Sequence, residues 1–191
     1  MNPEYQLAQS RLKLIIFDAD DTLRRTTVVG QPAPNAPDQW QLLPNVRETL
    51  SRFDWQGGAL KLGIASNQVG VALGFLTHEM ALRLIRDMVQ EALGYVPPHL
   101  EIEICPCPPN SGCECRKPQP GMLLRIMSRF GVSRDETLFV GDLPTDREAA
   151  GRAGVHFMWA NQFFGNYKSS NHRDTRRAQR LHPDACHSIE H

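Results

Sequence analysis

Short apolar segments alternate with amphipathic segments along most of the chain. Each apolar segment is about four to six residues long and ends in turn-forming residues, as is typical of buried parallel strands. These segments predict strands over 12–17, 60–65, 101–105, 137–140 and 155–159. The amphipathic segments predict helices over 46–53, 77–93 and 121–130, and a last helix from Thr145 to near Gly154.

Residues that favour helix ends bound two of these helices. Thr77 can accept a backbone hydrogen bond at the start of the 77–93 helix, and Gly94 can end it. Thr145 and Glu148 have the spacing of a capping box at the start of the last helix. Both signals support the helical interpretation.

The order of these elements predicts the fold class. Strands separated by helices of roughly 10 to 17 residues are typical of α/β proteins, here with a doubly wound, Rossmann-like parallel sheet and helices on both faces. The proline-rich segment 24–45 predicts a loop, whose β-branched residues 26–29 form a small flap. We expect a single domain over 1–167, followed by a polar tail over 168–191.

Composition and charge narrow the class of protein. The chain has 191 residues, 41% of them hydrophobic, which suits one globular domain. Lys plus Arg equals Asp plus Glu at 21 each, so the net charge disfavours nucleic acid as a partner. No apolar run reaches the roughly 18 residues of a membrane span, and the polar start lacks a signal core. We therefore expect a cytoplasmic protein with no membrane partner; a monomer is favoured, although the sequence leaves the oligomeric state open.

Two Asp-containing turns follow predicted strands, one near each end of the α/β pattern. They are Asp18-Ala19-Asp20-Asp21-Thr22-Leu23 and Gly141-Asp142-Leu143-Pro144-Thr145-Asp146. Ligands of open α/β sheets bind where parallel strands end, so neighbouring strands would bring these carboxylates together. Such a cluster of negative charge requires a divalent cation, and Mg2+ prefers carboxylate oxygens.

These residue types support phosphoryl chemistry. A carboxylate such as Asp18 can attack phosphorus, and a second one, Asp20, can protonate the leaving oxygen. Ser66 and the backbone amides of the turn at Asn67 can hold a phosphate oxygen, and Lys117 can neutralise its charge. Taken singly, each of these residues is equally compatible with a surface turn or a solvated charge.

Four of the five cysteines fall within eleven residues. Cys105, Cys107, Cys113 and Cys115 can close a tetrahedral zinc site, which would be structural because no coordination position stays open. Free thiols and disulfides are the alternatives, and the absence of an export signal favours metal over disulfides. No role is assigned to Cys186 in the tail.

The order of these motifs resembles the haloacid dehalogenase (HAD) superfamily of phosphohydrolases. Four motifs over roughly 13–159 carry the resemblance: a strand ending in Asp-x-Asp-x-Thr, a second ending in Ser, a Lys, and a third ending in Gly-Asp-x-x-x-Asp. Within subfamily III the chain is most similar to the branch of D-glycero-D-manno-heptose bisphosphate phosphatases and histidinol-phosphate phosphatases. That similarity rests on Ser66 to Ala72, on Cys113 to Pro118 with Pro120 to Met122, and on Gly141 to Asp146.

The resemblance implies a role for each motif residue. Asp18 is the nucleophile and Asp20 the acid/base, and Ser66, Asn67, Arg116 and Lys117 contact the phosphoryl group. Asp18, the Asp20 carbonyl and Asp142 bind the catalytic Mg2+, and Asp146 orients Lys117 or the metal's waters. Neither gap between motifs is long enough for a cap domain, so the cleft is open, and the zinc loop spans 105–115.

The chain departs from the family pattern at two positions. Cys107 stands where similar phosphatases have His, which makes the zinc site one charge more negative and leaves Arg116 and Lys117 to compensate. Asp21 stands where the family commonly has Gly, and Asp tolerates the left-handed backbone that such a turn requires.

The sequence thus predicts a Mg2+-dependent phosphomonoesterase acting on a small phosphorylated metabolite through an aspartyl-phosphate. A sugar phosphate such as a heptose bisphosphate is the favoured substrate. Histidinol phosphate and the 3′-phosphate of a nucleic acid are the enzymatic alternatives. A zinc-stabilised binding module without catalysis is the alternative from another class.

Overall fold

The structure, a computed structural model, describes residues 11–165. Its strands in chain order are β1 (Leu14–Phe17), β2 (Arg24–Thr26), β3 (Trp40–Leu42), β4 (Lys61–Asn67), β5 (Leu100–Cys105), β6 (Thr137–Gly141) and β7 (His156–Trp159). Its helices are α1 (Val46–Leu50), α2 (Val69–Ala72), α3 (His78–Leu93), α4 (Gly121–Phe130), α5 (Pro144–Ala153) and α6 (Ala160–Phe163), and a 3-10 turn spans Arg134–Glu136.

Five of the strands form one parallel sheet. Their order is β5-β4-β1-β6-β7, and every neighbouring pair runs parallel. From β1 the chain first builds outward through β4 and β5, and then returns to add β6 and β7 on the other side. The carboxyl ends of β1 and β6 therefore flank the point where the strand order reverses, which is where doubly wound sheets bind ligands.

The central strand β1 contributes side chains to two separate cores because successive strand residues point to opposite faces. Ile15 and Phe17 belong to the core that also contains buried residues of α1 and α3. Leu14 and Ile16 belong to the core that contains buried residues of α4 and α5. Helices thus cover both faces of the sheet, and the predicted fold class is confirmed.

Helix α3 shows why the sequence forms a long helix at this place. The Thr77 hydroxyl accepts a hydrogen bond from the Met80 amide at 3.0 Å, and Gly94 adopts a left-handed φ of 81° after the last turn. Ala81, Leu84, Ile85, Met88, Val89 and Ala92 are buried on one side. The predicted start and end of this helix agree with the structure.

The predicted capping box at Thr145 and Glu148 is wrong. Helix α5 begins one residue earlier, at Pro144, and its N-cap is Leu143. The Asp146 carboxylate accepts the backbone hydrogen bond of Leu143 at 2.9 Å, while Glu148 pairs with Arg152 on the helix surface. Proline favours the first helical position because its missing N–H needs no partner there.

Two small elements in the loops differ from the prediction. The flap is an antiparallel hairpin of β2 and β3, so its first strand begins two residues before the predicted segment 26–29. The four-residue helix α2 was not predicted, because it is too short for a helical period to emerge from the sequence.

The segments between the sheet strands are short. The hairpin and α1 lie between β1 and β4, and α2 and α3 lie between β4 and β5, so residues 11–165 contain no cap domain. In the same residues, no helix combines the length and apolarity needed to cross a membrane. The expected domain boundary at 167 and the tail 168–191 lie outside the described residues.

Candidate active site and cysteine loop

The predicted site residues gather at the carboxyl ends of three adjacent strands. Asp18 directly follows β1, and its backbone N–H donates to Val140 O at 2.9 Å on β6. Ser66 and Asn67 are the last residues of β4, and Asp142 directly follows β6. Because β1 pairs in parallel with both β4 and β6, these three ends lie side by side.

Lys117 enters the site from the loop after β5. Its side chain is 3% exposed, and its ammonium group forms ion pairs with the carboxylates of Asp18 and Asp146, the latter at 2.9 Å. It also donates to the Ala65 carbonyl at 2.9 Å. Burial opposes the charge, but the Asp146 and Asp18 carboxylates outweigh it and raise the pKa of Lys117. Lys117 is therefore a permanent, fixed cation.

Three carboxylates surround this ammonium group. Asp18, Asp142 and Asp146 each offer an oxygen, and these oxygens lie within 4.8 Å of one another. Burial raises the pKa of Asp18, and the neighbouring carboxylates of Asp146 and Asp142 add to the rise against the effect of Lys117. Burial, with Asp146 and Asp21, also raises the pKa of Asp142 to about 7. One ammonium does not balance three carboxylates, so the cluster fits a divalent cation with oxygen ligands.

Asp146 also shapes the loop that carries Asp142. Its second carboxylate oxygen accepts the backbone hydrogen bonds of Asp142 at 3.2 Å and Leu143 at 2.9 Å. Gly141 allows this close approach, since a Cβ at this position would lie 2.5 Å from the Cβ of Asp146. Gly141 and Asp146 therefore act together to present the Asp142 side chain.

Asp20 lies outside the three-carboxylate cluster and has different partners. Arg24 Nε contacts one of its carboxylate oxygens at 2.9 Å. Gln68 Nε2 donates to the other oxygen at 2.7 Å, and Ser66 Oγ approaches that oxygen at 3.4 Å. Asp21 follows with a left-handed φ of 63°, as its place in the predicted turn requires.

Two predicted phosphate contacts, Asn67 and Arg116, are engaged in other bonds. The Asn67 side chain exchanges two hydrogen bonds with the backbone of Lys117, at 3.1 and 3.2 Å. Arg116 donates to the Cys107 carbonyl at 2.9 Å. Asn67 thus holds the segment that carries Lys117, while Arg116 ties the same segment to the cysteine loop.

The four cysteines of the loop converge on one another. Their sulfur atoms lie within 4.8 Å of one another, and Cys105 is buried. Cys107 and Cys115 contact the Cys113 sulfur at 2.7 and 2.8 Å and lower the pKa of Cys113 to about 6. Burial instead raises the pKa of Cys105. Four sulfur donors in this arrangement fit a closed, tetrahedral zinc site.

Sequence reasoning assigned no role to Arg24 and Gln68, whose side chains form the shortest contacts with the Asp20 carboxylate. Arg24 stands four positions after Asp20, a spacing that could have drawn attention to the pair. Gln68 lies in the Ser66 to Ala72 motif, but the motif does not reveal its partner, because Asp20 lies 48 positions away and meets it only through the pairing of β1 with β4.

The chain matches known families over most of its length. Residues 13–182 match the family model described as polynucleotide kinase 3 phosphatase. A D-glycero-beta-D-manno-heptose-1,7-bisphosphate 7-phosphatase of Bordetella bronchiseptica is 34% identical over 147 residues, which are 75% of this chain and 77% of that protein. The enzyme of the same name from Pseudomonas aeruginosa is 38% identical over 117 residues, 59% of this chain and 62% of that protein.

Solved structures share the fold. One is the D,D-heptose 1,7-bisphosphate phosphatase of Bordetella bronchiseptica, which was crystallised with magnesium and phosphate. It superposes with a TM-score of 0.60 and is 33% identical, and the match covers 76% of this chain and 79% of that one. A HAD-like phosphatase from Mesorhizobium loti superposes with a TM-score of 0.57 at 23% identity over 76% of this chain and 70% of that one, and so supports the fold alone. These matches confirm the resemblance that the motifs predicted, and they do not support the binding-module alternative.

We predict that Asp142→Asn changes the pH dependence of stability. Because the folded pKa of Asp142 is about 7, above its ordinary value of 3.8, the folded state holds this proton more tightly than the unfolded state. The metal-free protein should therefore lose stability as the pH rises from about 4 to about 7, and Asp142→Asn should reduce that loss. Urea unfolding in a chelator at a series of pH values measures the effect.

Asp38→Asn serves as the matched control, because it makes the same change at an exposed position. It should keep the pH dependence of the parent protein. If the Asp142→Asn protein loses as much stability between pH 4 and 7 as the parent, burial and the neighbouring carboxylates do not raise the pKa of Asp142, and the prediction is wrong.

Proposed function

We propose a function from one premise: the chain belongs to the polynucleotide kinase 3 phosphatase family, within the HAD-like phosphatases. As a phosphoric monoester hydrolase, it releases phosphate from a small phosphorylated sugar, such as a heptose bisphosphate. The buried cluster of Lys117 with Asp18, Asp142 and Asp146, at the reversal point of the sheet, is the observation that carries the proposal. The relatives named for heptose bisphosphate hydrolysis support this substrate class.

Asp18 is the nucleophile in this proposal. Its carboxylate oxygen forms a bond to phosphorus while the bond from phosphorus to the leaving oxygen breaks, and Asp20 donates a proton to that oxygen. Asp20 then takes a proton from water, whose oxygen attacks the aspartyl-phosphate, releasing phosphate and restoring the Asp18 carboxylate. Lys117 holds Asp18 in place and offsets negative charge during both steps.

The phosphoryl oxygens need donors as well as a cation. The Ser66 hydroxyl and the backbone amide of Asn67 stand at the end of β4, next to the end of β1. Arg116 donates one N–H group to the Cys107 carbonyl, and the other N–H groups of its guanidinium can bind an incoming anion. We assign these three residues to holding the substrate phosphate.

A divalent cation fits the carboxylate cluster. Asp18, Asp142 and the Asp20 carbonyl would hold Mg2+, with Asp146 orienting Lys117 beside them. When bound, Mg2+ supplies positive charge to the oxygens of the transferring phosphoryl group. The excess of buried negative charge on this chain's own residues, and the magnesium in the related Bordetella structure, support the assignment.

The cysteine loop is proposed as a structural zinc site. Cys105, Cys107, Cys113 and Cys115 supply four sulfur ligands, and no coordination position is left for chemistry. The thiolates that such a site requires persist in a reducing compartment, which supports a cytoplasmic location. Since Lys117 follows Cys115 by two residues, the zinc would also fix the position of the catalytic-site cation.

A second substrate class follows from the family model itself. Its description names a polynucleotide 3-phosphatase activity, so the 3′-phosphate of a nucleic acid is the alternative. The open cleft left by the missing cap in residues 11–165 would admit such a substrate. The equal numbers of acidic and basic residues favour the small sugar phosphate.

Replacing the nucleophile provides the first test. Asp18→Asn should lower Mg2+-dependent release of phosphate from 4-nitrophenyl phosphate by at least about a thousandfold, because an amide cannot form the phosphoryl ester. The melting temperature should show that the fold is retained. Asp38→Asn, the same change at an exposed position, should keep full activity. Comparable turnover in both variants would refute the assignment of Asp18.

Substrate preference is tested with the parent protein. We expect kcat/KM for a heptose bisphosphate to exceed the values for histidinol phosphate and for a 3′-phosphorylated oligonucleotide by at least about tenfold, which corresponds to roughly 1.4 kcal/mol of transition-state binding. A reversed order, with oligonucleotide turnover that falls steeply as salt is added, would establish the nucleic-acid alternative instead.

The zinc proposal predicts different results for two changes at one ligand. Cys107→Ser should lower the zinc content from about one ion per chain and reduce the melting temperature, because a weak ligand opens the site. Cys107→His should retain the zinc, since a neutral imidazole is an accepted fourth ligand. Elemental analysis and thermal unfolding measure both effects. Parent protein purified without zinc, or Cys107→Ser protein that keeps it, would exclude the site.

A further inference from the structure

The chain turns sharply after the nucleophile and brings Arg24 back to Asp20. The left-handed backbone at Asp21 allows the turn, and the Asp21 amide donates to the Arg24 carbonyl at 2.6 Å. The Arg24 amide in turn donates to the Ala19 carbonyl at 3.1 Å. These two backbone hydrogen bonds fix the position of the Arg24 backbone, and so the point from which its side chain extends.

Arg24 is a fully buried cation. Its side chain is 0% exposed, although arginine is one of the residues least often buried. Nε contacts one Asp20 oxygen at 2.9 Å, Nη1 donates to the Leu84 carbonyl on α3 at 2.9 Å, and the guanidinium lies 5.9 Å from the Trp40 ring centroid. The guanidinium thus links Asp20 rigidly to a long helix of the fold.

Gln68 holds the other oxygen of the same carboxylate. Its Nε2 donates to Asp20 at 2.7 Å and lies 2.8 Å from Ser66 Oγ, and the residue is only 2% exposed. Arg24 and Gln68 come from different parts of the fold, the first strand of the hairpin and the residue directly after β4. Their two bonds on opposite oxygens fix both the position and the rotation of the Asp20 carboxylate.

The two motif aspartates therefore have separate cations. Lys117 pairs with Asp18, and Arg24 pairs with Asp20, although the aspartates are only two residues apart. The Asp20 side chain stays 13% exposed, so substrate and water can still reach it. A general acid works only when its oxygen is held within hydrogen-bonding reach of the leaving group.

We propose that Arg24 and Gln68 are positioning residues for proton transfer by Asp20. Each donates a hydrogen bond to one carboxylate oxygen, and together they keep the carboxyl group directed toward the leaving-group oxygen of the substrate. The inference rests on the proposed role of Asp20 as acid and base. It goes further by assigning a function to a buried cation and an amide that the mechanism does not otherwise use.

The test is the dependence of activity on the leaving group. The leaving group of an alkyl phosphate is a strongly basic alkoxide, which needs a proton from a general acid. The 2,4-dinitrophenolate ion is a weak base and leaves 2,4-dinitrophenyl phosphate without one. Gln68→Met and Arg24→Met should lower kcat/KM for glycerol phosphate by roughly ten- to a hundredfold, and for 2,4-dinitrophenyl phosphate by less than about threefold. The ratio kcat/KM is suitable because it covers the steps up to phosphoryl transfer to Asp18.

Matched variants separate positioning from stability. Arg24→Lys keeps the charge but not the fork that reaches both Asp20 and Leu84, so it should recover only part of the loss. Gln56→Met and Arg83→Met make the same changes at exposed positions and should keep the parental activity on both substrates. If the Arg24 variants do not fold, Gln68→Met decides the question alone.

Asp20→Asn sets the benchmark for interpretation. If it loses activity selectively on glycerol phosphate and Gln68→Met does the same, the positioning role stands. If Asp20→Asn is selective while Gln68→Met loses activity equally on both substrates, or on neither, the positioning role is overturned. If Asp20→Asn itself affects both substrates equally, the proposed acid role of Asp20 fails, and the inference built on it fails for that separate reason.

Discussion

Burial of one ammonium group between carboxylates is the constraint on which the site depends. Lys117 is nearly inaccessible to water, so its charge needs fixed partners, and Asp18 and Asp146 provide them. Removing one member of a buried ion pair commonly costs about 3–5 kcal/mol, because the remaining charge is left without compensation. The ends of β1 and β4, the start of α5 and the segment after the cysteine loop are therefore held together by a single ammonium group.

The cysteine loop matters to the site through this same lysine. Cys115 precedes Lys117 by two residues, and Asn67 clamps the Lys117 backbone from the end of β4. A zinc ion on the four sulfurs, as proposed, would hold this segment in place and with it the Lys117 ammonium group. Arg116 donates to the Cys107 carbonyl, whereas Lys117 forms its ion pairs with Asp18 and Asp146. Arg116 therefore lies beside the cysteine loop, and its compensation of the loop's charge stays a prediction.

The environments of the two motif aspartates differ in a way that suits different tasks. Asp18 lies in a crowded, buried set of carboxylates that calls for a metal, while Asp20 stands apart with its own cation and an amide. Pairs of carboxyl groups with contrasting surroundings are how one fold separates a nucleophile from an acid and base. The relatives named heptose bisphosphate phosphatases and the family model named for a polynucleotide 3-phosphatase share phosphatase activity and differ in the substrate that their names give.

The amino-acid sequence alone predicted the strands, the long helices and the order of the motifs, because hydrophobic period and turn chemistry act over a few neighbouring residues. It also predicted Asp18, Asp20, Ser66, Lys117 and Asp142 as a group through their order along the chain. Three sets of contacts became known from the fold and not from the sequence. Asp146 caps α5 in place of Thr145, Asn67 bonds to the Lys117 backbone, and Arg24 and Gln68 contact opposite oxygens of the Asp20 carboxylate. The Asn67 and Gln68 contacts join residues about 50 positions apart, and the Arg24 contact depends on the left-handed turn at Asp21. The Asp146 contact is local, but whether the helix starts at Pro144 or Thr145 depends on which side chain meets the free backbone N–H groups. The pattern of side chains along the chain does not by itself specify which partner a buried polar group will meet.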